Sequence, residues 1–154
     1  MSIRRLSHVG LCVADLERSL RFWRDGLGFR ERSCLDVAGA AAETLLGLGD
    51  VKLRAVYLER DGLCLELLHF ASPGHRGDAA PRPMNELGLT HLSVRVDDLD
   101  AALAHLTGCG GRVLAGTHIA LPAARTRAVF VADPDGARIE LVEAPGDPAA
   151  LPGE

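Results

Sequence analysis

Apolar and polar residues alternate over residues 3–13, with Val9, Leu11 and Val13 on one parity and His8, Gly10 and Cys12 on the other. A period of two separates the two faces of a strand. Asp15 then fits a helix N-cap, and Leu16, Leu20, Trp23 and Leu27 recur at spacings of four, three and four before Gly28 ends the run. A strand is expected over 29–37, a short Ala/Leu-rich helix over 38–47, and a hairpin from strands 52–59 and 63–70 around Arg60-Asp61-Gly62. Residues 71–87 have no periodicity and read as a linker rich in Pro and Gly. Beyond it the pattern gives a strand over 89–96, a helix over 98–108, a strand over 112–118, and a hairpin from 126–131 and 137–143.

The two halves repeat one another. The segment Leu6-Ser7-His8-Val9-Gly10-Leu11 aligns without a gap on Leu89-Thr90-His91-Leu92-Ser93-Val94, at an offset of 83. Near the ends of the halves, Asp61-Gly62-Leu63-Cys64-Leu65-Glu66-Leu67 aligns on Asp135-Gly136-Ala137-Arg138-Ile139-Glu140-Leu141, at an offset of 74. Each half therefore reads β-α-β-β-β, with a His on its first strand and a Glu on its last. The expected architecture is α+β: two tandem βαβββ modules forming a curved mixed sheet around a concave metal site. A single domain over 1–145 is expected, with module one at 3–70, the linker at 71–87, module two at 88–145, and a flexible tail at 146–154.

Parity decides the chemistry. His8 and His91 fall opposite the apolar positions of their strands, and Glu66 and Glu140 fall opposite Leu65, Leu67, Ile139 and Leu141. A carboxylate flanked by apolar neighbours in mid-strand is costly to bury unpaired. Two neutral imidazoles and two carboxylates around a divalent ion sum to zero charge. This makes His8, Glu66, His91 and Glu140 the candidate metal ligands, with Ni, Co, Mn, Fe or Zn as the ion. Such a set leaves coordination positions open for a substrate oxygen.

Composition narrows the function. Lys plus Arg is 17 against 21 Asp plus Glu, a formal net charge of −4, and only six residues are aromatic. No basic patch and few stacking platforms argue against nucleic acid as a partner. No apolar run reaches the ~20 residues of a membrane span. The N-terminal segment lacks the apolar core of a secretory signal, and the four cysteines show no CxxC spacing. A cytoplasmic protein with reduced thiols is expected.

The segments LSHVGLCVADLERSLRFWRDGLGF, LCLELL, LGLTHLSVRVDDLDAAL and FVADPDGARIELVE resemble the vicinal oxygen chelate superfamily, which includes glyoxalase I, methylmalonyl-CoA epimerase, extradiol dioxygenases, fosfomycin-resistance transferases and bleomycin-binding proteins. The resemblance spans residues 3–145. It implies paired βαβββ modules, metal ligation by His8, Glu66, His91 and Glu140, and a homodimer. A His/Glu/His/Glu set is similar to the glyoxalase I and epimerase branches. It implies a metal-dependent lyase, isomerase or epimerase moving a proton next to the carbonyl of a small molecule or thioester, with Glu140 or Glu66 as the proton carrier. Bacterial glyoxalase I members carry an Arg and an Asn where this chain has Cys12 and Phe70, which implies that glutathione is not the cosubstrate. Arg95 is a candidate for an acidic substrate group, with Cys12 and Phe70 as further substrate-side positions. The segment 38–47 and Arg76, Arg82 and Asn85 are a candidate rim. The alternatives are an extradiol-type dioxygenase using His8, His91 and Glu140, or a non-catalytic drug-binding resistance protein.

Overall fold

The alternation expected at the start of the chain is realised only where a partner strand supplies hydrogen bonds. In a computed structural model, which describes residues 2–150, the first strand β1 is Val9–Cys12, four residues rather than eleven. It is followed by α1 (Leu16–Leu20), a π-helical turn Arg21–Gly26, β2 (Arg30–Ala38), α2 (Ala40–Leu46), β3 (Lys52–Arg60) and β4 (Leu63–Ser72). The sheet order is β1-β4-β3-β2. β1 lies at an edge and runs parallel to β4 from Val9↔Leu65 to Cys12↔Leu68. β3 is antiparallel to both β4 and β2.

Asp15 caps α1 as expected, its Oδ1 accepting the Arg18 N–H at 2.9 Å. The helix then widens, and the Leu27 N–H reaches the Phe22 carbonyl at 2.9 Å, a π-type closure. Phe22, Trp23, Leu27 and Phe29 are all buried, together with Leu58, Leu65 and Leu67 of the hairpin. Trp23 meets Phe22 and Phe29 edge-on at centroid distances of 5.6 and 5.7 Å. This is the apolar face of the first sheet. On the other face, Ala42 of α2 is buried with Val51 and Leu53, and Val37, Leu48, Leu68 and Phe70 pack against them. The Ala/Leu-rich helix thus covers one end of the sheet face that carries Glu66, since Leu68 and Phe70 share the parity of Glu66.

The second half repeats the plan with β5 (Leu92–Arg95), α3 (Leu99–Gly108), β6 (Arg112–Val113), β7 (Ile119–Leu121), β8 (Thr126–Ala132) and β9 (Arg138–Glu143). Its sheet order is β5-β9-β8-β6, with β7 also on β8, and β5 is parallel to β9. Each half therefore has its own mixed sheet. The strand expected over 112–118 is broken. A 3-10 turn at Ala115–Thr117 interrupts it, and Thr117 Oγ1 takes the Phe130 N–H at 2.9 Å in place of a ladder carbonyl. Asp98 caps α3 at Ala101 N, 3.0 Å. The next free N–H, on Leu99, goes to Glu143 Oε2 of β9 at 2.7 Å. Arg127 closes the network, donating to Glu143 at 2.6 Å and to Asp100 at 2.9 Å. Arg127 and the Leu99 amide hold the Glu143 carboxyl below its usual range.

The chain divides into two compact units, Met1–Gly77 and Asp78–Glu154. The boundary falls inside the segment read as linker. Residues after it pack on the second unit, where Arg112 Nη2 donates to the Ala79 carbonyl at 3.2 Å. Gly136 lets that backbone pass: a Cβ there would stand 2.7 Å from the Ala79 oxygen, and its φ is +93°. Of the tail expected at 146–154, residues 151–154 lie outside the described residues. Within the rest, the Ala150 N–H closes a turn on the Asp147 carbonyl at 3.1 Å.

Candidate functional site

Each unit places its His beside its Glu. His8 and His91 stand one residue before β1 and β5 rather than within them. In the first unit His8 Nε2 is 3.2 Å from Glu66 Oε2. In the second, His91 Nε2 is 3.8 Å from Glu140 Oε2. Parallel pairing carries this geometry. Gly10↔Glu66 and Ser93↔Glu140 are matched across their strands, so the preceding His of each edge strand leans over the carboxylate.

A hydroxyl stands behind each imidazole. Ser7 Oγ is 3.0 Å from His8 Nδ1, and Thr90 Oγ1 is 2.9 Å from His91 Nδ1. A histidine that ligates through Nε2 carries its proton on Nδ1 and needs an acceptor there. Ser7 and Thr90 place a hydroxyl, which can donate or accept, at that nitrogen in equivalent positions. The hydroxyl-His pair was present in the aligned repeat; the contact within it became legible only with the distances.

The carboxylates differ. The Tyr57 hydroxyl donates to Glu66 Oε1 at 2.5 Å, and the His8 ring meets the Tyr57 ring edge-on at 5.5 Å. The residue matched across the hairpin from Glu140 is Phe130, whose ring takes the same edge-on place against His91 at 5.3 Å. Phe130 has no hydroxyl to give. Glu140 instead accepts from Ser93 Oγ at 2.8 Å through Oε2. The position matching Ser93 is Gly10, where a Cβ would meet Leu68 Cδ1 at 3.3 Å and Glu66 Oε2 at 3.6 Å. The Glu66 side chain is 13% exposed and that of Glu140 32%. Tyr57 and Phe130 emerge from sequence by counting residue pairs outward from each hairpin turn, a step that requires the turn register.

Glu66 acts back on the phenol. Accepting the hydroxyl proton, and with burial added, the Glu66 carboxylate pushes the Tyr57 ionisation from 10.0 up to about 12. The hydrogen bond therefore stabilises the fold fully below pH 10, and this contribution is lost as pH rises through about 12. Tyr57 is the single tyrosine of the chain. An alkaline titration of tyrosinate absorbance is expected to place its midpoint near 12, and Glu66→Gln to return it toward 10. A midpoint near 10 in the unaltered protein contradicts the contact.

The remaining candidates are placed as follows. Cys12 is exposed and stands outside any disulfide. Phe70 packs in the cluster beneath α2. Arg95 Nη2 donates to the Ala144 carbonyl at 2.7 Å and reaches that of Pro145 at 3.3 Å. Arg82 likewise serves the carbonyls of Leu87 and Leu89, at 3.4 and 2.8 Å. Among the described residues, no group of three or more His, Cys, Asp or Glu side chains converges as a set of metal ligands. What each unit does present is an imidazole-carboxylate pair with Nδ1 engaged, a donor set that suits a borderline divalent ion. Among the described residues, no helix is long and apolar enough to cross a membrane.

Paired units of βαβββ type, the second with the short strand β7 added, and a His and a Glu recurring at matched positions define a vicinal oxygen chelate fold. The chain belongs to the Glyoxalase/Bleomycin resistance protein/Dioxygenase superfamily, whose pattern matches residues 5–141. It is 32% identical over 143 residues to the uncharacterized protein YaeR of Escherichia coli, covering 93% of this chain and 98% of that one. It is 33% identical over 142 residues to a lactoylglutathione lyase of Neisseria meningitidis, covering 90% of each. A solved glyoxalase family protein from Bacillus cereus superposes with a TM-score of 0.79 at 22% identity, covering 95% of this chain and 97% of that one.

Proposed function

We propose that this protein is a divalent-metal-dependent enzyme that moves a proton next to the carbonyl of a small molecule or thioester, as a glyoxalase-type lyase, isomerase or epimerase. The observation that carries the reading is the repeated imidazole-carboxylate pair, each with a hydroxyl on Nδ1. His8, Glu66, His91 and Glu140 are the proposed ligands. A bound ion supplies Lewis acidity toward a substrate carbonyl oxygen, which acidifies the adjacent C–H. Glu140, the more exposed carboxylate, takes that proton and returns it. Ser93 holds Glu140 Oε2 and orients the other oxygen.

The similarity to a lactoylglutathione lyase supports the reaction class. The resemblance to glyoxalase I implies glutathione contacts at the positions of Cys12 and Phe70, and neither side chain carries a charge or amide. The proposed substrate is therefore a carbonyl compound recognised without glutathione. Arg95 retains a place in the proposal through guanidinium donors not spent on the Ala144 and Pro145 carbonyls.

Elemental analysis and titration with Ni²⁺ or Co²⁺ are expected to find one ion per chain, with His8→Ala and His91→Ala each weakening binding by about tenfold or more. Solvent deuterium exchange into hemithioacetals of glutathione, hemithioacetals of simpler thiols, and α-substituted thioesters is expected to identify the substrate class. A chain that binds no divalent ion, or whose affinity is indifferent to both substitutions, overturns the reading. Tight metal-independent binding of an intact planar drug would favour sequestration instead.

A further inference from the structure

The two halves repeat their His, Glu and edge-on aromatic ring, but only one ring carries a hydroxyl. Tyr57 and Phe130 occupy the same register position, each directly across the hairpin from its carboxylate, and each meets its imidazole edge-on. The shared ring explains packing in both halves. The hydroxyl is surplus to that packing, because Phe130 does the same work without it.

We propose that Tyr57 is a positioning residue that holds Glu66 as the fixed, single-oxygen ligand of the site. The inference rests on the metal reading above. The phenol takes Oε1 at 2.5 Å, a separation within the short range of a charge-assisted O–H···O⁻ bond. The other oxygen, Oε2, is the one that faces His8 Nε2 at 3.2 Å. The two oxygens thus have separate partners, and a swing of the carboxylate toward two-oxygen ligation would compete with the phenol for Oε1. Nothing comparable restrains Glu140 from β8, where Phe130 stands opposite. The asymmetry lies in which oxygen is held: at Glu66 it is Oε1, the one turned away from His8, and at Glu140 it is Oε2, the one turned toward His91.

The test uses the full chain with Co²⁺ as probe. Tyr57→Phe copies the second half into the first. It is expected to lower Co²⁺ affinity by about 10–100-fold, as loss of an outer partner of a ligand typically does. It is also expected to alter the visible Co²⁺ absorption as Glu66 changes its mode of ligation, while the circular dichroism of the metal-free protein is unchanged. A readout on the unaltered protein guards against misfolding. Tyr57 is the single tyrosine, so Co²⁺ binding is expected to perturb the near-ultraviolet tyrosine bands. Wild-type affinity and spectrum in Tyr57→Phe, or an unperturbed tyrosine band in the unaltered chain when Co²⁺ binds, overturns this inference and leaves the metal reading standing. A wild-type chain that binds no Co²⁺ overturns the metal reading itself and this inference with it.

Discussion

Replacing Glu140 with Gln is expected to lower turnover by about 10²–10⁴-fold, the usual contribution of a positioned general acid-base group. Gln keeps the volume and an oxygen for Ser93, which donates to Oε2 at 2.8 Å, but it cannot take up a proton at neutral pH. Co²⁺ binding is expected to weaken less than turnover, because the other proposed ligands, His8, Glu66 and His91, are retained. The same change at Glu66 is expected to reverse the balance, since that carboxylate is held by Tyr57 and faces His8 at 3.2 Å. On the proposed function, its loss removes a ligand before it removes a proton carrier. Parallel measurement of metal affinity and of solvent deuterium exchange separates the two. A Glu140→Gln chain with full exchange on the true substrate contradicts the assignment of the proton to this residue.

The largest expected effect on stability lies on the opposite face of the first sheet. Trp23 is 1% exposed, and its ring is held edge-on by Phe22 and Phe29. Trp23→Ala is expected to cost about 3–5 kcal/mol, the range for truncating a buried large aromatic. Against a total of about 5–15 kcal/mol for an ordinary domain, the loss runs from about a fifth of the margin to all of it. Urea denaturation followed by far-ultraviolet circular dichroism measures it, since Trp23 is the only tryptophan and its fluorescence disappears with the substitution. A midpoint within a few tenths molar of wild type would show that the π-helical turn collapses around the gap.

Much of this organisation was legible in the residues. The alternation over 63–70 placed Leu65 and Leu67 in the core and Glu66 opposite, and the structure leaves Leu65 and Leu67 1% and 0% exposed. Asp15 caps the helix its position predicted, because an N-cap needs only local hydrogen bonding, and Asp98, read as the first residue of the second helix, is its N-cap. The helix over 38–47 also forms, as α2 at Ala40–Leu46. Strand lengths were less legible. The pattern over 3–13 is uniform, yet only Val9–Cys12 pairs with β4, since a strand extends as far as its neighbour's ladder and no further. The broken strand near Thr117 has the same origin: its hydroxyl captures the Phe130 amide from a distant part of the chain.

What the sequence by itself determined is the set of local and periodic features. These are two βαβββ repeats, their caps, their apolar faces, and the His and Glu that recur on the faces opposite. Period and capping are properties of neighbours in the chain, so one strand or one turn suffices to express them. Tertiary structure alone decided how the matched residues differ. Tyr57 on Glu66 against Phe130 across from Glu140, Ser93 on Glu140 where the first half has Gly10, and Glu143 serving Leu99 and Arg127 all depend on strand register. Register is set by which strands pair and how each turn closes. A shift of one residue would send each of these side chains to the other face of its sheet.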